Sequence, residues 1–202
     1  MTDFPALYGE HPGLDFANTV NGRAQDEPEE HLHGYRDMVR WAAYAQWIGP
    51  EERRDLDALA GQRPDAARGS HLAGVAVREA IHRVFAGMTR DLPPDEDDLA
   101  LIQRAYAAAM AAARLRPGEG HFGWDWPDDS LDQVWWPAVL SVIDLLTTGP
   151  AGRVKVCAST RGCAGLFLDT SKNGSRRWCR MADCGTEAKI HRQTARRRDA
   201  RR

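Results

Sequence analysis

The sequence predicts a mainly α N-terminal helical domain with a short strand element over residues 1–150, followed by a small α+β module over residues 151–202. Three observations carry this. Apolar residues recur at helical spacing in several stretches between Tyr35 and Thr147. All four cysteines of the 202-residue chain fall between Cys157 and Cys184, in a polar segment rich in Gly and Arg. Charge changes sign at Gly149-Pro150: residues 151–202 hold 14 Lys+Arg against 4 Asp+Glu, net +10, which leaves 13 against 25, net −12, in residues 1–150. The Gly-Pro pair is also the natural linker.

The elements follow in order. Gly13 to Val20 mixes apolar residues with Asp15 and Asn18 and reads as a short strand or helix entry whose polar side chains bond local backbone. Tyr35, Met38, Val39, Ala42 and Ala45 make one helical stripe. A second helix begins at Pro50-Glu51-Glu52, with acids at its positive end. A third stripe is Val77, Ile81, Val84, Phe85 and Met88, stopped by Pro93-Pro94. The fourth is Leu99, Ile102, Tyr106, Met110 and Ala113, ending at Pro117-Gly118. Gly118 to Gly123 matches G-x-G-x-x-G, but it follows a helix instead of a strand. It is a turn into a short strand at Trp124-Asp125-Trp126, not a dinucleotide site. The last helix of this domain spans Ser130 to Thr147, capped by Ser130. Trp41, Trp47, Trp135 and Trp136 lie on or near these stripes and read as packing residues.

With 43% apolar and 28% charged residues, the composition fits globular domains and excludes a low-complexity chain. The longest nearly apolar run, Pro137 to Leu146, is too short for a bilayer and contains Asp144. The N-terminus lacks a basic, apolar leader, so a cytoplasmic location is expected. His31 and His33 lack a third ligand and read as solvent-exposed. No nucleophile, acid or base constellation is visible, so no enzyme is expected and no catalytic residue is named.

The cysteines form C-x5-C-x15-C-x4-C. Two pairs of soft thiolates separated by a loop can close a tetrahedron around one structural Zn²⁺, with Cys157, Cys163, Cys179 and Cys184 as ligands. The alternatives are two disulfides, which the expected reducing compartment disfavours, or four unrelated buried thiols, which would be scattered through apolar helices. Such a segment buries little apolar surface, so the metal serves as its core. Arg161, Arg176, Arg177, Arg180 and the amides after Cys184 are available to lean on the sulfurs. Arg153 to Val156 and Leu166 to Leu168 read as two strands flanking the first cysteine pair. Asp169 to Ser175 reads as a polar turn and Thr186 to Arg198 as a helix, in all a four-Cys zinc-ribbon or treble-clef-like finger.

The run from Cys163 to Lys189, and most specifically Asn173-Gly-Ser-Arg-Arg-Trp-Cys-Arg-Met181, resembles the CGNR zinc finger of bacterial transcription regulators. Two departures stand out. Cys184-Gly185-Thr186-Glu187 replaces the Cys-Gly-Asn-Arg that names the family, and Gly165 stands where relatives usually carry Trp. Gly13-Leu-Asp-Phe-Ala-Asn-Thr-Val20 is similar to the N-terminal signature of ABATE, the stress-induced regulator domain that precedes such fingers. This second resemblance implies a ligand-sensing domain, with Asp15, Asn18 and Arg23 as candidate pocket residues for a small-molecule effector.

The expected function is therefore a zinc-binding transcription regulator that binds duplex DNA. Lys172, Asn173, Ser175, Arg176, Arg177, Lys189, Arg192 and Arg196 are its candidate nucleic-acid residues. Against this stand two readings: Arg176 and Arg177 as donors to the cysteine sulfurs with the Arg-rich end a solvated tail, and a zinc-stapled protein-interaction module whose basic tail docks on an acidic domain. No membrane partner is expected, and a homodimer is a candidate assembly.

Overall fold

A computed structural model describes residues 4–118, 120–127 and 129–199. The helices are α1 (Pro12–Ala17), α2 (Tyr35–Tyr44), α3 (Pro50–Gln62), α4 (Pro64–Met88), α5 (Glu96–Ala112), α6 (Trp136–Thr147) and α7 (Thr186–Asp199). Three antiparallel two-stranded ribbons accompany them: β1 (Val20–Asn21) with β2 (Glu29–Glu30), β3 (Arg114–Pro117) with β4 (Phe122–Asp125), and β5 (Val154–Val156) with β6 (Leu166–Leu168).

The 25-residue α4 is the hub. It packs against α1, α2, α3 and α5 and also meets β5 and β6 of the C-terminal module. Val77, Ile81, Val84 and Phe85 form its buried stripe, as the spacing predicts, and meet Phe16, Met38, Trp41, Ile102 and Val142 in the core. The helix begins thirteen residues before that stripe. Its first half buries Ala67, Ser70 and Gly74 while Leu72 faces solvent, so small residues make the contact and no apolar periodicity announces it. Pro64, which has no N–H to spend, separates α3 from α4. The segment expected as strand or helix entry is the short helix α1. A Cβ on Gly13 would stand 2.3 Å from Val142 Cγ2, so the missing side chain is what lets α1 lie against α6. Trp41, Trp135 and Trp136 are buried, with Trp47 edge-on to Trp41 at 4.5 Å, as packing residues should be.

Three expected boundaries are corrected. The fourth helix stops at Ala112, because Arg114 to Pro117 leaves as a strand and Pro117 has no place in a helix interior. The Gly118–Gly123 run does turn into a strand, but that strand, β4, begins at Phe122 instead of Trp124, and Gly118 N–H donates to His121 O at 2.8 Å across the turn. The helix expected from Ser130 to Thr147 is broken at Trp135 into a 3₁₀ turn, Leu131–Val134, and α6. Pro137 cannot donate to the Gln133 carbonyl as an unbroken helix would require. Ser130 makes no side-chain cap.

The chain crosses the charge break at Gly149-Pro150 without a break in packing. Val154 and Leu166, 6% and 0% exposed, join the same apolar core as α4 and α6. No helix among the described residues is long and apolar enough to cross a membrane.

Candidate metal centre and nucleic-acid interface

The β5–β6 hairpin pairs Val154 with Leu168, Lys155 with Phe167 and Val156 with Leu166. Cys157 follows β5 directly, and its N–H donates to Gly165 O at 2.8 Å, which closes the loop that carries Cys163. Cys179 enters from the turn beyond β6. Cys184 sits in a π-turn, Met181–Gly185, immediately before α7. Phe167, fully buried, packs with Cys157 and Cys179 as the floor of the centre.

The four sulfurs lie within 4.8 Å of one another, and Cys163–Cys179 and Cys179–Cys184 are each separated by 3.7 Å. A tetrahedron with Zn–S bonds of about 2.3 Å has edges of about 3.8 Å, so zinc fits this cage. A disulfide requires about 2.05 Å, and all four thiols are free. Hydrogen bonds from the Cys163 and Cys179 thiols hold Cys157 down to about 2. The same contact with Cys157 pushes Cys163 up to about 12 and raises Cys179; burial, then the charge on Cys157, raises Cys184. Four thiolates cannot share this space without a cation, and a divalent ion resolves the conflict. The structure thus positions four cysteines to bind one structural zinc. Among the described residues no other cluster of three or more His, Cys, Asp or Glu offers a metal site.

The donors that support the sulfurs are amides and not arginines, contrary to the sequence expectation. Cys179 N–H donates to Cys157 Sγ at 3.4 Å, helped by the Ser159 amide, and the Gly165 amide serves Cys163. Arg161 instead pairs with Glu187 at 3.0 Å, and Arg180 with Asp183 at 3.3 Å. The Arg161 pair gives the departure from Cys-Gly-Asn-Arg a local role: Glu187 ties the first turn of α7 to the Cys163 loop, and Thr186 donates to Met181 O at 2.9 Å.

The second departure is filled from the other domain. A Cβ at Gly165 would fall 2.6 Å from Tyr8 Oη and 2.9 Å from Tyr8 Cε2, so Tyr8 occupies the space a larger residue would take. Burial, followed by the charge of the cysteines, holds the Tyr8 hydroxyl protonated. Gly165→Ala should therefore lower stability by about 1–3 kcal/mol. A denaturant titration should find the loss smaller in a chain that also carries Tyr8→Ala; equal losses in the two backgrounds would disprove the contact.

Asp169 organises the turn that follows β6. Fully buried, it accepts from Lys155 Nζ at 2.6 Å, Arg176 N at 3.0 Å, and Ser171 N and Oγ at 3.0 and 2.5 Å. The Lys155 ammonium, first among these donors, holds its carboxyl well below the usual range. Lys155 also donates to the carbonyls of Gly174 and Arg176. The result is a braced turn on which Lys172, Asn173, Ser175 and Arg177 are exposed.

Arg176 is not presented with them. Its guanidinium lies 4.6 Å over the Phe167 ring, donates to the Trp178 and Cys179 carbonyls, and meets Glu10 at 3.1 Å. It donates to backbone carbonyls of the metal loop and not to the sulfurs, so it braces that loop in a way the sequence did not indicate. Arg177 lies 5.4 Å over Trp178 and stays exposed. Lys189 is exposed on α7. Arg192 and Arg196 fall on the backbone of that helix, and their side chains lie outside the described residues.

The three residues read as a pocket do something else. Asn18 bonds across 148 positions: its Nδ2 donates to Leu166 O at 2.8 Å and its Oδ1 accepts from Leu166 N at 2.9 Å. Local bonding was expected there, and the partner is instead a finger strand. Asp15, raised to about 6 by burial, accepts from Gly9 N at 2.7 Å, and the Gly9 carbonyl accepts from Leu168 N at 2.8 Å. Arg23 N–H donates to Cys163 O at 3.2 Å while its guanidinium holds Glu79 at 2.6 Å and Ala17 O at 2.9 Å. All three belong to the seam between the domains.

Behind that seam lie residues the sequence did not flag. Arg78, 2% exposed, grips Glu30 with both terminal nitrogens at 2.7 and 2.6 Å and Glu79 through Nε at 2.9 Å. Burial alone would raise Glu79, but Arg23 and Arg78 override it and hold it at about 2. Glu30 is lowered in the same way against burial, by Arg78. His82, lowered to about 4 by burial and then by Arg23, bonds Ala164 O at 3.3 Å. The one sequence cue was Arg78 itself, a charge one position from Val77 in an apolar stripe.

Residues 10–149 match the family model ABATE, described as a putative stress-induced transcription regulator, and residues 153–197 match the model of the CGNR zinc finger. No curated protein matches the chain.

Proposed function

Since the chain belongs to the ABATE family of stress-induced transcription regulators and ends in a CGNR zinc finger, we propose that it regulates transcription by binding duplex DNA through that finger, under control of an effector held by the helical domain. It acts by binding and not by catalysis. The observation that carries this reading is the Asp169-braced turn. A polar loop held by five hydrogen bonds, three to the buried Asp169 carboxylate and two from the Lys155 ammonium, offers Lys172, Asn173, Ser175 and Arg177 to solvent in a fixed arrangement, in a segment of net charge +10. Fixed donors cost little to order when they meet phosphate oxygens, and α7 carries part of the same positive charge.

Duplex binding followed by fluorescence anisotropy tests it. The affinity should fall with salt at a log–log slope of about −4 to −6. Arg177→Ala should weaken binding about three- to tenfold and leave the zinc content unchanged. Arg176→Ala should instead lower thermal stability and zinc retention, because it removes the brace over Phe167. A slope near zero, or no binding at low salt, would leave the alternative, a zinc-stapled protein-interaction module.

A further inference from the structure

A cavity of about 540 Å³ lies between α5, α6 and β4, within the range of about 300–1,000 Å³ typical of small-molecule sites. Its walls are aromatic and aliphatic, with Tyr106, Trp124, Trp126, Leu140 and Ile143, and the one formally charged lining residue is Asp144. Two other groups restrict what could enter. Ser141 and Thr147 spend their hydroxyl protons on the carbonyls of Ala138 and Ile143, so they offer little to an anion. Asp144 accepts from Thr148 Oγ1 at 2.7 Å, and no Lys or Arg pairs with it among the described residues.

Electrostatics point one way. Asp144 stands in the last turn of α6, whose C-terminal carbonyls add their own negative potential. His11 feels the Asp144 charge, but burial outweighs it and lowers the imidazole, which disfavours a counter-charge there. The domain around the cavity carries a net charge of −12. Aromatic faces at the rim attract a cation in addition to excluding water. The hairpin completes the picture: Leu115 pairs with Trp124 and Pro117 with Phe122 on one face, and since Trp124 lines the cavity, this face borders it. Leu115, Phe122 and Trp124 are 62%, 69% and 47% exposed, an apolar surface left uncovered beside an apolar cavity.

We propose that this cavity binds a hydrophobic monocation, an amine or quaternary ammonium on an aromatic or aliphatic body, with Asp144 as its counter-ion and Trp124, Trp126 and Tyr106 as its walls. This deepens the effector part of the function above, and because binding is read without DNA, a finger that fails to bind duplex does not alter the outcome.

Two ions of the same shape and opposite charge serve as probes: tetraphenylphosphonium and tetraphenylborate, titrated calorimetrically into the zinc-loaded full chain. Tetraphenylphosphonium should bind one to one and at least about tenfold more tightly than tetraphenylborate. Asp144→Asn, which keeps the Thr148 hydrogen bond, should reduce that preference below about threefold. Trp124→Ala should weaken the cation about tenfold with its zinc content unchanged. Equal affinity for the two ions, a preference that survives Asp144→Asn, or no cation binding at all would each overturn the proposal. So would sedimentation showing a dimer that Trp124→Ala dissociates while neither ion binds, since a second copy would then fill the site.

Discussion

Cys179→Ser is expected to release the zinc and unfold the finger, and the damage should extend into the helical domain. Cys179 sits 3.7 Å from two of the other three sulfurs and its amide donates to the third, so its loss takes the sulfur that links the cage together. Structural zinc contributes about 10–16 kcal/mol in isolated finger peptides, as much as the whole stability of an ordinary domain. The finger here is not isolated. Val154 and Leu166 would leave a shared core, each at about 1.5–3 kcal/mol. The paired hydrogen bonds from Asn18 to Leu166 would go with them, at about 1 kcal/mol apiece. Hydrogen exchange checks the extent. Protection should be lost at Val156 and Leu166 and reduced in α1 and α4; unchanged protection at Leu166 would show that the finger stands without its metal.

Arg78→Met is the second large effect. The side chain is 2% exposed and serves Glu30 and Glu79 at once, so its removal leaves two half-buried carboxylates short of donors, at about 2–3 kcal/mol once their contact with solvent is discounted. Glu79 retains Arg23, while Glu30 keeps only the amides of His31 and Leu32. The pH dependence has a definite sign. Both carboxyls are depressed in the folded state, Glu79 to about 2, so the stability they supply is fully present above the unfolded value near 4.5 and is lost as pH falls through the folded values. In the variant Glu30 loses its main share of that advantage while Glu79 keeps the part Arg23 supplies, and the gap between the two proteins should shrink on acidification below about pH 4.5. Urea unfolding at pH 7 and pH 4 measures it; a gap that is the same at both, or under about 1 kcal/mol at pH 7, would mean the pairs contribute nothing net.

What the sequence made legible was whatever is written locally. The cysteine spacing is local, and so are the stripe from Val77 to Met88, the two short strands around the first cysteine pair, the polar turn after Leu168 and the start of α7. What it concealed depends on partners far along the chain. Nothing beside Asn18 announces Leu166, 148 positions away, so its amide looked like a loop-former or a ligand contact. Arg176 and Arg177 are neighbours of identical chemistry, and only the ring of Phe167 beneath one of them assigns it a supporting place. The first half of α4 was silent because it packs through Ala67, Ser70 and Gly74, residues no hydrophobic pattern detects. The break at Trp135 was signalled by Pro137, but the apolar run through it favoured a single helix.

Residues 23 and 24 donate main-chain hydrogen bonds to Cys163 and Gly162, and the Gly9 carbonyl accepts one from Leu168. Such stitching survives side-chain replacement and leaves no slack. A finger mounted this way has no tether on which to swing; it turns only when the body turns. Cutting it free to make a portable reagent would expose Leu166 and strip Cys163 of its neighbour, so the excised piece should precipitate or lose its metal where the intact chain does neither.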